Sequence, residues 1–214
     1  MNILILGDSW GVPNYYGPPG VDAKYHTEFL LKDLGYTVYN CANNGGSNLA
    51  SISSAKNHLI SKIDWIIWFH TESLRDRNLF DADKSFLIND VIESNSRIIY
   101  QEFDKLKKFT SAKTLVIGGQ AKLLDCFYEI TSADFVIPDW RSSIFGKQFP
   151  TVHTLCHLDL IEKSADSLEF KNRLLKDHKT ILDQMKWSED FPDNCHPGIR
   201  PHRELVEKFS ALIV

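Results

Sequence analysis

The chain carries the three side-chain types of a nucleophilic catalytic triad in two segments that lie far apart in the sequence. Ser9 belongs to the segment Gly7–Trp10, which directly follows the apolar run Asn2–Leu6, and Asp193 precedes His196 by three residues near the other end. A serine hydroxyl is a poor nucleophile at its ordinary pKa, so it needs a neighbouring base, and that base needs a third group to orient it. The two segments together supply a nucleophile, a base and an orienting carboxylate.

The elements that must position these residues follow from the hydrophobic pattern. Short apolar runs alternate with longer amphipathic stretches, which is typical of repeated βα units and a parallel sheet. Right-handed crossovers place the helices on both faces of such a sheet. The pattern therefore predicts an α/β fold, a three-layer α/β/α sandwich around a mainly parallel five-stranded sheet. The predicted strands are Asn2–Leu6, Thr37–Cys41, Asp64–Phe69, Thr114–Ile117 and Asp134–Ile137, and the predicted helices are Ala23–Leu34, Ser47–Lys62, Lys84–Phe109, a polar helix Leu160–Trp187 and a final amphipathic helix after Pro201.

The composition favours one domain spanning residues 1–214. Of the 214 residues, 43% are hydrophobic and 24% charged, which is enough for a sizeable core. The net charge is −4 and the basic residues form no stripe that would follow a phosphate backbone, so we expect no nucleic-acid partner. The first apolar run has only a strand's length and no basic segment precedes it, which predicts neither a signal peptide nor a membrane span and makes a cytoplasmic location the default.

Polar and glycine-rich segments stand where the predicted strands end. Gly7–Ser9 follows the first strand, Ala42–Ser47 the second, His70–Glu72 the third and Gly118–Gln120 the fourth. Ligands of open parallel α/β sheets bind beyond the carboxyl ends of the strands. We therefore expect a nucleophile and potential oxyanion donors to converge at this edge of the sheet.

Three short segments, spread over nearly the whole chain, resemble the sequence blocks of the SGNH, or GDSL-type, esterases and lipases. Gly7–Ser9 is similar to the first block, Asn40–Gly45 to the second and Asp193–Pro197 to the last. The resemblance implies a flavodoxin-like fold and no cofactor. It also implies the roles of the site residues, which are Ser9 as nucleophile, Asp193 and His196 as its triad partners, and the amides of Ser9 and Gly45 as oxyanion donors.

The third block of that family is where this chain differs. The family usually carries an asparagine after the third strand, and its side-chain amide is the third oxyanion donor. The equivalent stretch here is Phe69–Glu72, so the resemblance places Thr71 in that role, with a hydroxyl that is shorter than an amide. Losing one oxyanion donor typically costs roughly 100- to 1000-fold in rate, so a weaker donor predicts weaker catalysis. Trp10 replaces the leucine common in the family and is expected to alter the pocket wall.

Each segment also has an interpretation that involves no chemistry. Gly7–Ser9 has the composition of an ordinary turn, Asp193 has the type of a helix N-cap, and Gly45–Ser47 fits a tight turn that ends in an N-cap. Gly7–Gly11 also fits the G-x-S-x-G elbow of α/β-hydrolases. The glycines and prolines that follow it predict a loop where that elbow needs a helix, which argues against this alternative.

Several further residues have a weaker connection to the site. Tyr15 lies in a loop beside the nucleophile and is expected either to line a substrate pocket or to cover the end of the sheet. Arg75 has the charge to bind an anionic substrate group, although an ion pair with Glu72 or Asp76 is the favoured use.

The segment His153–His157 has a spacing that some zinc sites use, but no second ligand pair accompanies it, so we assign no metal. The four cysteines show no CxxC spacing and predict no disulfide framework.

Together the residues predict a serine esterase. The expected reaction is hydrolysis of a small-molecule or carbohydrate ester, such as a sugar O-acetyl group, through a Ser-His-Asp triad and an acyl-enzyme. Two alternatives stay open at this stage. One is transfer of the acyl group to a sugar hydroxyl, which differs from hydrolysis in excluding water. The other is a binding or structural module that has the fold without efficient catalysis.

Overall fold

The chain is built around one parallel sheet, seen in a computed structural model that describes residues 1–12, 25–58, 62–76, 87–119, 121–145, 162–184 and 196–213. The strands are β1 (Asn2–Gly7), β2 (Thr37–Asn40), β3 (Trp65–His70), β4 (Lys113–Gly118) and β5 (Phe135–Ile137). They are ordered β2-β1-β3-β4-β5, and every pair is parallel. This confirms the predicted α/β class and its five-stranded parallel sheet.

Helices follow the strands and pack on both faces of the sheet. They are α1 (Thr27–Asp33), α2 (Asn48–Ala55), α3 (Ile88–Lys108), α4 (Cys126–Ile130), α5 (Trp140–Phe145), α6 (Ser167–Gln184) and α7 (Ile199–Ile213), with a 3₁₀ turn at Ser73–Arg75. Helices α1 and α7 are in contact with each other, as are α2 and α3.

Alternate residues of β1 build a separate core on each face of the sheet, because successive side chains of a strand point to opposite sides. Ile3 and Ile5 are fully buried in one cluster together with residues of α1 and α7. Leu4 and Leu6 are fully buried in a second cluster together with residues of α2 and α3. A central parallel strand is covered on both faces and is therefore apolar throughout, which explains the unbroken run at the start of the chain.

Helix ends are where the structure departs from the sequence predictions. The helix predicted over Ser47–Lys62 ends at Ala55, where the following N–H groups bond to carbonyls three residues back and tighten the last turn. The final helix begins at Ile199, before Pro201, because a proline in the first helical turn gives up an N–H that has no intrahelical partner. Helices α4 and α5 were not predicted, since five or six residues are too few to show helical periodicity.

The strand order creates a crevice at one position along the sheet. The chain runs from β1 outward to β2 and then returns to the other side of β1 to form β3, so the connections diverge between β1 and β3. Ligands of doubly wound sheets bind at such a switch point, outside the carboxyl ends of the strands. Thr71 directly follows β3, and Ser9 lies two residues after the end of β1. Among the helices that the structure describes, none has the length and apolar character needed to cross a membrane.

Candidate active site

The turn that carries Ser9 depends on a glycine at the end of β1. Gly7 has a φ of 131°, and a Cβ at this position would lie 2.3 Å from the carbonyl oxygen of Phe69 on the neighbouring strand. No other residue fits here without moving backbone. The turn is closed by a hydrogen bond of 2.9 Å from the Gly11 amide to the Asp8 carbonyl, and the Asp8 carboxylate accepts the Trp10 amide at 3.0 Å. The Gly-Asp-Ser sequence therefore forms a rigid turn at the edge of the sheet.

The side chain of Ser9 meets a histidine from the other end of the chain. Ser9 Oγ and His196 Nε2 are 2.8 Å apart, although 187 positions separate the two residues. Ser9 is buried and His196 is partly exposed, three residues before the start of α7. This is the distance at which a general base removes a proton from a nucleophile. Asp193, the predicted third member of the triad, and Tyr15 lie outside the described residues.

The glycine turn predicted to supply an oxyanion donor lies beside the Ser9 turn. The Asn43 amide donates to the Gly7 carbonyl at 3.1 Å, which holds the chain after β2 against the end of β1. Gly45 has a φ of 67° in the turn that follows, and the Ser47 hydroxyl accepts the Ala50 amide at 3.3 Å as the N-cap of α2. The tight turn with an N-cap is thus present, and the oxyanion role of the Gly45 amide stays a prediction.

Thr71 is anchored through both its backbone and its side chain. The Asn48 side chain accepts the Thr71 amide at 3.0 Å and donates to the Thr71 carbonyl at 2.9 Å. The Thr71 hydroxyl donates to Oδ2 of Asp8 at 2.6 Å, and all three residues are fully buried. A hydroxyl has one proton to donate, and here that proton goes to Asp8. The oxyanion role predicted for Thr71 would require the proton to leave this carboxylate.

Arg75 joins the same buried network. Its guanidinium lies 3.7 Å from Oδ2 of Asp8 and 3.6 Å from Oε1 of Glu72, and it donates to the Gly46 carbonyl at 3.4 Å. Burial raises the pKa of Asp8, and the Arg75 charge and the hydrogen bonds from Thr71 and the Trp10 amide oppose that rise. The ion pair with Glu72 expected from the sequence is present. Arg75 therefore links the Ser9 turn to the glycine turn.

Trp10 lies inside the protein. Its side chain is fully buried, and its ring makes an edge contact with Trp140 at 5.6 Å between centroids. The Arg141 guanidinium lies 5.4 Å from the centre of the same ring. The structure places this indole in the core beneath the Ser9 turn. Trp10 would therefore affect substrate binding through the conformation of that turn.

Two buried histidines near the site were not predicted from the sequence. His26 is the N-cap of α1, and its Nε2 lies 3.1 Å from the Trp10 carbonyl oxygen. His202 lies on α7, and its Nδ1 is 2.8 Å from the Thr27 hydroxyl. The sequence did hold a signal for His202. It stands three, four and seven residues before Leu205, Val206 and Phe209, so it shares the buried face of α7 with them. No local pattern marks His26.

Metal ligation has no support in the described part of the chain. Those residues contain no group of three or more histidine, cysteine or acidic side chains placed to hold a metal ion. The segment His153–His157 lies outside them. Cys41 and Cys126 are buried free thiols, and burial raises the pKa of each.

Removing the Thr71 hydroxyl is expected to lower stability more than catalysis. Thr71→Val deletes the donor to a fully buried carboxylate, and a hydrogen bond to a charged group contributes about 1.5 to 3 kcal/mol. Denaturant unfolding measures this loss, and Thr71→Ser, which keeps the hydroxyl, is the matched control. We expect ester turnover to fall by less than about 100-fold, the smallest loss typical of a missing oxyanion donor. A larger fall at unchanged stability would show that the hydroxyl turns to the oxyanion during reaction.

Comparison with known proteins finds similar folds among esterases of known structure. The chain is similar to the esterase EstA from Pseudoalteromonas sp., with 13% identity, 99% of this chain and 96% of that one covered, and a TM-score of 0.49. It is also similar to a member of the lipolytic G-D-S-L family from Veillonella parvula, with 14% identity, 99% and 97% coverage and a TM-score of 0.45. A lipase/acylhydrolase from Enterococcus faecalis matches at 13% identity, 99% and 94% coverage and a TM-score of 0.43. A scan against protein-family models and a search of curated proteins found no match. These similarities are distant, with identities of 13 to 14%.

Proposed function

We propose that this protein is a serine esterase in which Ser9 is the nucleophile and His196 the general base. The observation that carries the proposal is the 2.8 Å contact between Ser9 Oγ and His196 Nε2. It joins the end of the first strand to the segment before the last helix, at the sheet edge where ligands of this fold class bind. A buried serine on a rigid turn with a histidine at this distance has the geometry of an activated nucleophile.

The proposed reaction is acyl transfer from an ester to water in two halves. In the first, His196 takes the Ser9 proton while Ser9 Oγ attacks the ester carbonyl, and the imidazolium then gives that proton to the leaving alcohol as the C–O bond breaks. An acyl-enzyme on Ser9 remains. In the second half, His196 takes a proton from water, the resulting hydroxide attacks the acyl carbonyl, and Ser9 recovers its proton as the acid leaves.

The negative charge that develops on the carbonyl oxygen needs donors already in place. The Ser9 and Gly45 amides are the proposed donors, because both belong to rigid turns that a backbone hydrogen bond holds side by side. Such preorganised donors stabilise a transition state without reorganising during the reaction. Thr71 remains the proposed third donor only if its proton leaves Asp8 during the reaction.

Asp193 is proposed to orient His196, on the sequence spacing alone. A carboxylate at the second ring nitrogen fixes the tautomer that leaves Nε2 free to accept a proton. We expect Asp193→Asn to reduce kcat by roughly 10⁴-fold, because the amide stabilises the wrong tautomer. The assay is steady-state hydrolysis, and Asp139→Asn, at the end of β5, is the control for an acidic side chain outside the triad. An Asp193→Asn variant with near-normal kcat would remove Asp193 from the mechanism.

The direct test of the proposed function is hydrolysis of a short-chain p-nitrophenyl ester together with labelling by a fluorophosphonate probe. An esterase releases p-nitrophenol catalytically and carries the probe on Ser9, which peptide mass spectrometry identifies. A panel of O-acetylated sugars then tests the carbohydrate ester proposed as substrate, and product analysis with a free sugar present separates hydrolysis from acyl transfer. Folded protein that neither turns over the ester nor takes up the probe would contradict the proposal.

A second candidate is a module with the same fold and little catalysis. The observation that favours it is the Thr71 hydroxyl, which donates to Asp8 and so leaves the position of a third oxyanion donor without a free proton. Such a module would retain the Ser9–His196 contact as a structural hydrogen bond. Absence of probe labelling in folded protein would favour it over the esterase.

A further inference from the structure

Two histidine rings lie against each other in the interior between the Ser9 turn and the segment that carries His196. The ring centroids of His26 and His202 are 4.3 Å apart, and both side chains are more than nine-tenths buried. His26 precedes α1 and His202 belongs to the first turns of α7, so the contact joins the two ends of the fold on this face. A buried polar pair of this kind is stable only if its ring nitrogens have hydrogen-bond partners.

The hydrogen bonds of His26 assign its tautomer. Nδ1 accepts the Glu28 amide at 3.4 Å as the cap of α1, so it carries no proton. Nε2 must then carry the proton of the neutral ring and donate to the Trp10 carbonyl at 3.1 Å. His26 therefore connects the start of α1 to the residue that directly follows Ser9.

His202 makes a connection from the other end of the chain. Its Nδ1 lies 2.8 Å from the Thr27 hydroxyl, in the first turn of α1. His202 itself belongs to the first turn of α7, which begins three residues after His196. His202 therefore holds the start of α7, and with it the segment that carries His196, against α1.

We propose that His26 and His202 are positioning residues that set the approach of His196 to Ser9. His26 donates to the carbonyl of the residue next to Ser9, His202 hydrogen-bonds Thr27 from the helix that follows His196, and the two rings are packed against each other. The distance between nucleophile and base then depends on this pair of rings as well as on the Ser9–His196 contact itself. The inference rests on the proposed esterase function and extends it to two residues outside the triad.

The charge state of the two rings supports this role. Burial lowers the pKa of His26 to about 4, and the Trp10 carbonyl and Glu28 oppose that shift. Burial also lowers the pKa of His202 well below its ordinary range, and the neighbouring His26 and His196 lower it further. Both rings are therefore neutral near pH 7, which the cap of α1 requires, because a protonated His26 has no lone pair to accept the Glu28 amide.

The test uses two amide substitutions at each ring that differ in the hydrogen bond they keep. His202→Asn keeps a polar atom near the position of Nδ1 and so keeps the bond to Thr27, whereas His202→Gln moves its amide to the position of Nε2 and loses that bond. We expect kcat for the p-nitrophenyl ester to fall about 10- to 100-fold in His202→Gln and by less than about threefold in His202→Asn, with KM little changed, since a misplacement of about 1 Å costs up to about 100-fold.

The same logic at His26 provides a second pair if a His202 variant does not fold. His26→Gln keeps the donor to Trp10 and loses the cap, whereas His26→Asn keeps the cap and loses the donor. A merely structural role predicts equal losses of kcat within each pair, in step with the midpoint of unfolding. Equal losses, or lower unfolding midpoints with unchanged kcat, would overturn the proposal.

A readout that does not need activity separates this inference from the proposed function. Long-range ¹H–¹⁵N NMR spectra of the histidine side chains report the tautomer and environment of each ring. We expect an Nε2–H tautomer for His26, and a displaced His196 signal in His202→Gln but not in His202→Asn. If the wild-type protein hydrolyses no ester, the proposed function fails and the NMR comparison still decides whether the rings position His196.

Discussion

The Ser9→Ala variant is expected to lose ester turnover almost completely, with kcat lower by roughly 10⁶-fold, the loss seen when the nucleophile of a serine hydrolase triad is removed. The physical reason is that an alanine methyl group offers no lone pair to attack the carbonyl, so no acyl-enzyme forms and the variant retains only binding and oxyanion stabilisation. The measurement is initial-rate hydrolysis of a short-chain p-nitrophenyl ester, with fluorophosphonate labelling as a second readout that should vanish.

A serine elsewhere at the same sheet edge provides the control for this variant. Ser142 donates to the Asp139 carboxylate at 2.5 Å after β5 and has no part in the proposed chemistry. Ser142→Ala should retain its turnover and its labelling. Circular dichroism should show that Ser9→Ala remains folded, because the substitution removes one hydroxyl from a turn that backbone hydrogen bonds hold. A Ser9→Ala protein that still turns over the ester would exclude Ser9 as nucleophile.

The His196→Ala variant is expected to lose a similar factor, again roughly 10⁶-fold in kcat, because nucleophile and base act as a unit and removing either one costs nearly the whole effect. The loss has two parts: Ser9 has no acceptor for its proton during attack, and the leaving alcohol has no donor. The Ser9 hydroxyl stays present in this variant. Fluorophosphonate labelling should therefore become very slow instead of disappearing, which distinguishes loss of the base from loss of the nucleophile.

Another histidine on the protein serves as the control for this second variant. The ring of His58 lies tilted against that of Tyr39, with 5.6 Å between the centroids, after α2 and away from the proposed chemistry. His58→Ala should leave kcat within about twofold of the wild-type value. Combining Ser9→Ala with His196→Ala should cost no more than either change alone, since both remove the same step. Additive losses in the double variant would show that the two residues act independently and would contradict the proposed pair.

Some features of the fold are visible in the sequence because they depend on local patterns. The unbroken apolar run of β1 and its following Gly-Asp-Ser turn were predicted, and Gly7 has the positive φ that this turn needs. Helix ends were predicted less well. The final helix begins before Pro201 and the helix after β2 ends seven residues early, at Ala55 instead of Lys62, because capping and the tightening of the last turn decide these ends and periodicity does not.

The candidate site also combines features that the sequence predicted with features that only the packing of distant segments decides. The sequence proposed Ser9 and His196 from their types and their place relative to the strands, and the 2.8 Å contact between them follows only from the packing of β1 against α7. The proton of Thr71 was expected at an oxyanion and is donated to Asp8, a choice set by the distance between the ends of β1 and β3. His26 was missed because no local pattern marks it, and the apolar spacing after His202 indicates a buried position but not the ring that His202 contacts.

The sequence by itself determined that this protein is an α/β fold with a serine on a tight turn at the carboxyl edge of its sheet, because alternation, apolar runs and turn residues act over a few neighbouring positions. Only the tertiary structure decided which groups share each proton. Hydrogen-bond partners such as Ser9 and His196 are separated by 187 positions, and such pairs depend on how whole strands and helices pack, which no short stretch of sequence encodes.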